Sequence, residues 1–208
     1  YNIKRFHHVS TDEVYGELGP KGKFKPDSPY DPKNPYSATK ASSDMLVRAY
    51  GHTFKVPYTL SNCSNNYGPN QNDEKFLPVV INSILDEKKI PVYGTGTNIR
   101  DWIYVKDHCK AVWKIFRRGK LGNTYLVGAN NEQTNIQIIK KICKLMGVDH
   151  NKTIEFVKDR SGHDFRYAID ASKLTNELKW KPLMNFDKGL KKTVRWYEQK
   201  FENIYCRA

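Results

Sequence analysis

Apolar positions along this chain fall into two rhythms. Short runs rich in β-branched and aromatic residues, at 6–10, 58–62, 90–93, 102–104, 123–127 and 154–157, predict strands. Between them, stretches at 35–54, 76–86, 105–118 and 134–147, and a last one at 186–201, carry apolar residues at helical spacing. Thr134-Asn135-Ile136-Gln137 reads as a capping box, and Gly147 stands where a left-handed cap would end that helix. Ala38, Ala41, Met45 and Ala49 share one face of the first helix; Leu190, Val194, Tyr197 and Phe201 share one face of the last. Both stripes are expected to be core. The run at 6–10 reads as a short buried strand in which His7 and His8 pack rather than bind metal. The pattern is alternating α/β followed by a smaller, helix-rich part, without internal repeats or low-complexity segments. A loop at 16–35, rich in Gly, Pro and Lys, crosses the surface.

Composition narrows the classes. At 208 residues and 38% hydrophobic content, the chain can bury one sizeable core or two small ones. A formal charge of +13 leaves room for nucleic acid as a partner. However, the lysines are dispersed, with few clusters beyond Lys140-Lys141 and Lys191-Lys192, and no basic run is interleaved with aromatics. An anionic small-molecule site explains the charge, so no nucleic-acid partner is expected. Cys63, Cys109, Cys143 and Cys206 form no Cys-x-x-Cys pair and no zinc spacing with the histidines, which points to free thiols, a reducing cytoplasm and no metal. No apolar run reaches membrane-spanning length, so no membrane partner is expected.

Two clusters carry chemistry. Thr11-Asp12-Glu13 falls at the carboxyl end of the first strand, where open α/β sheets place ligands. Two adjacent carboxyls there can be held at different pKa values, one a protonated acid and one an ionised base. Alternatively, the trio is a solvent-facing turn. Tyr36 and Lys40 lie one helical turn apart, about 6 Å along the axis. Lowering a phenol pKa from about 10 to about 7 needs roughly 4 kcal/mol, comparable to one opposite charge about 4 Å away at an effective dielectric of about 20. One lysine can supply most of that shift, although the same spacing also occurs on exposed helices where the two never cooperate.

Together with Asn34 to Asp44, Asn62-Cys63-Ser64-Asn65-Asn66-Tyr67-Gly68-Pro69, Pro91-Val92-Tyr93-Gly94, Ile99-Arg100-Asp101-Trp102, Tyr104 to His108 and Asp159-Arg160-Ser161-Gly162-His163, these clusters resemble the nucleotide-sugar 4,6-dehydratases, in particular the dTDP-glucose branch, of the extended short-chain dehydrogenase/reductases. The motifs follow in the family's order through nearly the whole chain. The resemblance implies an α/β fold, with a partial Rossmann-like doubly wound parallel sheet and a smaller α/β substrate-binding domain. Residues 1–64 would be the later part of the NAD-binding domain, and 65–208 mainly the nucleotide-sugar domain, with about 100–130 returning to the sheet. It implies NAD as cofactor and conversion of dTDP-glucose to the 4-keto-6-deoxy sugar and water. Tyr36 would take the C4 hydroxyl proton, Glu13 the C5 proton, and Asp12 would protonate the C6 hydroxyl. Thr11 would bond the sugar near C4, and Lys40 would tune Tyr36 and hold the nicotinamide ribose.

Carried over residue by residue, the resemblance assigns Asn66 to the cofactor and Asn65 to the substrate. Lys75 and Phe76 would lie along the nucleotide sugar, with Phe76 where Leu is more usual, and Pro91, Val92 and Tyr93 would lie under the base. Arg100 and Arg160 would serve the diphosphate or ribose, because a planar guanidinium engages two oxygens at once. Asn135, Asp159 and His163 would be further polar contacts. For Arg100 the plain alternative is an ion pair with Asp101 or a neighbour; for Asn135 it is a helix start. Ser161 replaces the family's usual Pro. The glycine-rich turn that cradles a dinucleotide pyrophosphate does not occur; Gly94-Thr95-Gly96 is nearest and opens no helix. The reading is therefore of a fragment lacking roughly the first third of an enzyme, inactive alone, whose full-length form is a homodimer. A UDP-glucose 4,6-dehydratase and a 4-epimerase are the alternatives, since no motif reports the base. A scaffold that has lost its chemistry would lack acid or base residues that are all present here.

Overall fold

The structure is a computed structural model that describes residues 3–205. Three small sheets carry it. Strands β1 (Phe6–Thr11), β2 (Tyr58–Cys63) and β6 (Thr124–Val127) run parallel in the order β1-β2-β6, registered from Phe6 opposite Tyr58 to Thr11 opposite Cys63. Strand β3 (Asn65–Tyr67) pairs parallel with β5 (Ile99–Tyr104), which pairs antiparallel with β7 (Glu132–Thr134). Strands β4 (Ile90–Tyr93) and β8 (Ile154–Val157) form a parallel pair. The α/β alternation and five of the predicted helices are present: α1 (Pro35–Phe54), α2 (Phe76–Leu85), α3 (Val105–Arg118), α4 (Asn135–Leu145) and, at the end, α7 (Phe186–Tyr205).

The periodicity missed short elements. Strands β3 and β7 have three residues each, and helices α5 (His150–Thr153) and α6 (Ser172–Leu178) four and seven. Segments this short span too few residues to display a period. Asp12–Tyr15 also winds into one 3₁₀ turn, which directs the two carboxyls away from the strand. The capping box at Thr134 is present, with Gln137 N donating to Thr134 Oγ1 at 3.2 Å and Thr134 N to Gln137 Oε1 at 2.8 Å.

The largest core packs α2, α4 and α7 over β4 and β5, through Leu77, Ile81, Ile90, Trp102, Ile138, Ile142, Leu190, Val194 and Tyr197. The α7 stripe is core as its spacing predicts, with Phe201 half-buried beside it. The α1 stripe requires correction. Only Ala41 is buried, whereas Ala38, Met45 and Ala49 are exposed, together with Leu46, Tyr50 and Phe54. The buried face is Ser37, Ala41 and Asp44, because the groups beneath it on β1 and β2 are polar and select polar partners. Strand β1 is likewise not buried along its length: Phe6 and Val9 are exposed, because β1 is an edge strand among the described residues. His7 bonds Thr59 Oγ1 at 2.9 Å and Ser61 Oγ at 3.1 Å on the next strand. Cys206 lies outside the described residues.

The loop after β1 owes its shape to distant partners. Gly16 has φ of +84°, and a side chain there would meet the Asp31 carbonyl oxygen at 2.4 Å. Phe24 N donates to Ala168 O and Asp170 N to Phe24 O, at 2.9 and 2.8 Å. Arg166 reaches under the loop to the carbonyls of Gly19 and Gly22 while paired with Glu132. A segment with no regular structure thereby becomes a fixed wall.

Candidate active site

The parallel strands β1 and β2 end side by side, and the turn Asp12–Tyr15 begins there. Thr11 Oγ1 accepts from Glu13 N at 3.3 Å and starts the turn. Opposite it, α1 opens with a full capping box: Ser37 N donates to Asn34 Oδ1 at 2.9 Å and Asn34 N to Ser37 Oγ at 3.2 Å. That cap brings Tyr36 to the mouth of the same depression.

Two adjoining cavities result, sharing Glu13, Tyr36 and Asn65 in their walls. The first, about 280 Å³, lies over the strand ends and is lined by Val9 to Glu13, Tyr36, Lys40 and Cys63 to Asn65. The second, about 380 Å³, runs outward between Lys75, Arg100, Arg160, His163, Asp164 and Tyr167. The pair has the outline of a bipartite ligand: one part over the sheet, one part along a cationic groove.

Asp12 is 2% exposed, and its Oδ2 has no hydrogen-bond partner. Burial first, then the charges of Glu13 and Asp101, raise its pKa well above the usual carboxylate range. Its surroundings therefore favour the protonated form. Glu13 is half-buried, and burial raises its pKa as well, opposed by the charge of Arg100. The adjacent carboxyls thus differ in surroundings as the acid–base pairing needs. Arg100 is not paired with Asp101. Its guanidinium lies 4.3 Å over the Tyr167 ring and donates to the carbonyls of Ile99, Asp164 and Phe165. Asp101 instead accepts from Ala129 N and Asn131 N, at 3.0 and 2.6 Å.

Tyr36 departs from expectation. Its phenol is held above the ordinary value, by burial first and then by the charges of Glu13, Cys63 and Asp12. Lys40 Nζ donates to the Val9 carbonyl at 3.2 Å, so the lysine does not depress the phenol here. That bond uses one of its three donors, and the others are available to a hydroxyl in the cavity.

The outer residues sort into three groups. Asn65, Lys75, Arg100, Arg160 and His163 line the second cavity. His163 donates from Nδ1 to Asp159 Oδ1 at 2.7 Å and accepts at Nε2 from Arg160 Nη2 at 3.1 Å. Burial lowers its pKa, so the neutral ring with its proton on Nδ1 satisfies both bonds. Asp159 thus orients His163 and Arg160 from behind, and Arg160 also lies 5.0 Å over the exposed Tyr93 ring. The third group lines neither cavity. Val92 is a core side chain; Phe76 packs on Trp102, 5.9 Å between centroids; Pro91 belongs to the β4–β8 pair. Asn135 is the first residue of α4, its N–H bonded to Asn98 O at 3.1 Å, so the helix-start reading holds. Asn66 spends its amide on Cys63 Sγ and Ser64 O, at 3.4 and 3.1 Å. For Val92 and Phe76 the cause is the same: alternate residues on a short strand or a first helical turn must fill the core.

Reading by motif passed over Asn34, Cys63, Asp164 and Tyr167. Asn34 and Cys63 lie within recognised motifs and Asp164 adjoins one, so proximity to a motif was the available signal for these, whereas Tyr167 lies beyond the last motif. Burial and the charge of Asp12 push the Cys63 thiol up to about 12. With an alkylating agent at pH 8, exposed Cys109 is expected to label and Cys63 to resist, read by peptide mass mapping. Rapid labelling of Cys63 would contradict this environment.

Comparison with known proteins follows from this geometry. The chain is 54% identical over 196 residues to a probable dTDP-glucose 4,6-dehydratase of Sinorhizobium fredii, covering 91% of this chain and 56% of that protein. It is 50% identical over 201 residues to a dTDP-glucose 4,6-dehydratase of Xanthomonas campestris, covering 93% and 57%. It therefore spans little more than half the length of these relatives. Among solved structures, a dTDP-glucose 4,6-dehydratase from Bacillus anthracis in complex with NAD superposes with a TM-score of 0.89 at 47% identity, covering 93% of this chain and 61% of that one. The Streptomyces venezuelae dTDP-glucose 4,6-dehydratase with NAD and TYD bound gives 0.94 at 38% identity, over 98% and 62%. A UDP-glucuronic acid 4-epimerase from Bacillus cereus gives 0.91 at 26% identity, over 96% and 63%. With the family model described as GDP-mannose 4,6 dehydratase matching residues 1–193, the chain belongs to that family.

Proposed function

We propose that this chain supplies the acid–base and sugar-binding part of a nucleotide-sugar 4,6-dehydratase that acts on dTDP-glucose with NAD. The observation that carries the reading is Asp12, a buried carboxyl whose Oδ2 has no hydrogen-bond partner, beside the more open Glu13 in a cavity shared with Tyr36. A 4-epimerase of this superfamily needs no acid that protonates a leaving hydroxyl, so the adjacent pair favours dehydration. The similarity to dTDP-glucose enzymes supports the base, with UDP-glucose and 4-epimerase activity as the readings to test against. We further infer a cytoplasmic, homodimeric protein, with residues 1–64 and the β6 region on the cofactor side and most of 65–208 on the sugar side.

The residues fit the nicotinamide end of NAD: Lys40 keeps donors free, and the first cavity lies at the strand ends where dinucleotides bind. When bound, NAD supplies the oxidation at C4 and the matching reduction at C6. Tyr36 accepts the proton of the C4 hydroxyl in its phenolate form, which requires Lys40 to turn from the Val9 carbonyl toward the ring, and Thr11 bonds the sugar beside it. Once C4 is a ketone its neighbouring C5 hydrogen is acidic, and Glu13 removes it. Asp12, whose burial favours the protonated form, gives its proton to the C6 hydroxyl, which leaves as water. Arg160 and Arg100, with Lys75, complement the diphosphate, and Tyr93 offers a face to the base.

The test is formation of the 4-keto-6-deoxy sugar by the longest form of the protein that its gene supplies, with dTDP-glucose, UDP-glucose and UDP-N-acetylglucosamine compared. The expected order of kcat/KM places dTDP-glucose first, and exchange of the C4 configuration without water loss would favour the epimerase. Tyr36→Phe is expected to lower kcat by about 10²–10⁴, the usual share of a general base, with KM little changed. A loss below about tenfold would remove Tyr36 from that role.

A further inference from the structure

Beneath the catalytic turn lies a buried polar cluster that the chemistry above does not use. Asn62 and Asp44 are both fully buried. The Asn62 side chain touches both ends of the turn Asp12–Tyr15: its Nδ2 donates to the carbonyl of Thr11 at 3.0 Å, and its Oδ1 accepts from Tyr15 Oη at 3.3 Å. The same Nδ2 donates to Asp44 Oδ2 at 3.0 Å. Asp44 lies on α1, one turn beyond Lys40 and two beyond Tyr36. Its Oδ2 also accepts from Tyr30 Oη at 2.8 Å, its Oδ1 lies 3.0 Å from His8 Nε2 on β1, and Tyr30 Oη accepts from Arg48 Nη2 at 2.8 Å. One amide therefore joins the element that carries the acid and base to the helix that carries the tyrosine and lysine.

We infer that Asn62, oriented by Asp44, is a positioning residue that holds the Asp12–Glu13 turn in register with the Tyr36–Lys40 helix. The inference rests on the dehydratase reading. An amide is suited to the task because it donates to a carbonyl and a carboxylate while accepting from a phenol, which neither a hydroxyl nor a carboxylate at this position can do. Misplacing a catalytic group by about 1 Å costs about 10²-fold. Oxidation at C4 depends on Tyr36 and Lys40, whereas water loss depends also on the turn, so loosening the turn separates the two.

The experiment uses the longest available form, with oxidation of dTDP-glucose in the first turnover and 4-keto-6-deoxy sugar formation measured on the same samples, and amide hydrogen exchange followed at residues 12–16. Asn62→Ala is expected to lower product formation by about 10² while first-turnover oxidation falls several-fold at most. Exchange at 12–16 should quicken by about tenfold, one hydrogen bond's worth, with the α4 capping-box amides unaffected. Asp44→Leu should repeat this pattern. Asp44→Asn should restore most product formation, since its amide oxygen still accepts from Asn62 and Tyr30. Oxidation and product formation falling in parallel, or unchanged exchange at 12–16, overturns the inference. Wild-type protein that forms no 4-keto-6-deoxy sugar removes the dehydratase reading itself, before any variant is compared.

Discussion

Asp12→Asn is expected to abolish water loss from the sugar while making the folded chain more stable. The amide keeps the carboxyl's shape but has no acidic proton to give, so product formation should fall by about 10²–10⁴. Glu13 is unaltered, so deuterium from solvent should still enter at C5 of a C4-oxidised sugar. The stability gain follows from the burial that makes Asp12 an acid. Its folded pKa lies well above that of the unfolded chain, so the folded state holds a proton that the unfolded state releases. That difference lowers stability as pH rises above about 4, by up to about 1.4 kcal/mol per pH unit until the folded pKa is passed. Urea unfolding of wild type and Asp12→Asn between pH 4 and 8 should show curves that diverge as pH rises, with the variant above. Glu13 contributes the same sign in both proteins, and only its coupling to Asp12 differs between them. Curves that run parallel, or a variant that keeps forming product, would show that Asp12 is neither strained by burial nor the acid.

The second large effect concerns the wall of the site. Arg166 is 5% exposed and donates to both Glu132 oxygens, at 2.7 and 3.1 Å, and to the carbonyls of Gly19 and Gly22, at 3.0 and 3.1 Å. Arg166→Ala strips the partner from four acceptor oxygens at once. Removing one member of a buried ion pair costs about 3–5 kcal/mol, and the partial exposure of Glu132 puts this case near the lower figure. For a chain of this size that is a fall in Tm of about 10 °C. The exposed pair Lys141 and Asp187, 2.7 Å apart, makes the contrast. Lys141→Ala should cost less than about 1 kcal/mol, because solvent already screens it. Because the 16–34 loop ends at Asn34 in the second cavity, surviving Arg166→Ala protein should also bind nucleotide sugar more weakly. A Tm loss as small as that of Lys141→Ala would mean that the loop holds itself.

Several elements were legible because their cause is local. The helices α2, α3, α4 and α7 follow from apolar spacing and, for α4, from a cap made by residues three apart. Asp12, Glu13, Tyr36 and Lys40 could be proposed together because their chemistry depends on residue type and spacing, and the structure gathers all four around one cavity. The α1 stripe misled because its apolar residues are on the exposed face, while its buried face is set by Asp44 and by what β1 and β2 present to it. Val92 is a related case. It sits in a recognised motif, but a motif does not report whether a side chain is consumed by the core.

By itself the sequence determined the alternation of elements, the candidate acid, base, tyrosine and lysine, and the family motifs, since these rest on order and short-range spacing. Only the tertiary structure decided how each group is tuned and held. Burial, then the charges of Glu13 and Asp101, raise the pKa of Asp12, and Arg100 is held by carbonyls more than sixty positions away. Burial, then the charges of Glu13, Cys63 and Asp12, hold the Tyr36 phenol above its ordinary value while Lys40 turns to Val9, and Asn62 with Asp44 joins the Asp12–Tyr15 turn to α1. Desolvation and charge act through space, so residues far apart in the chain set them together.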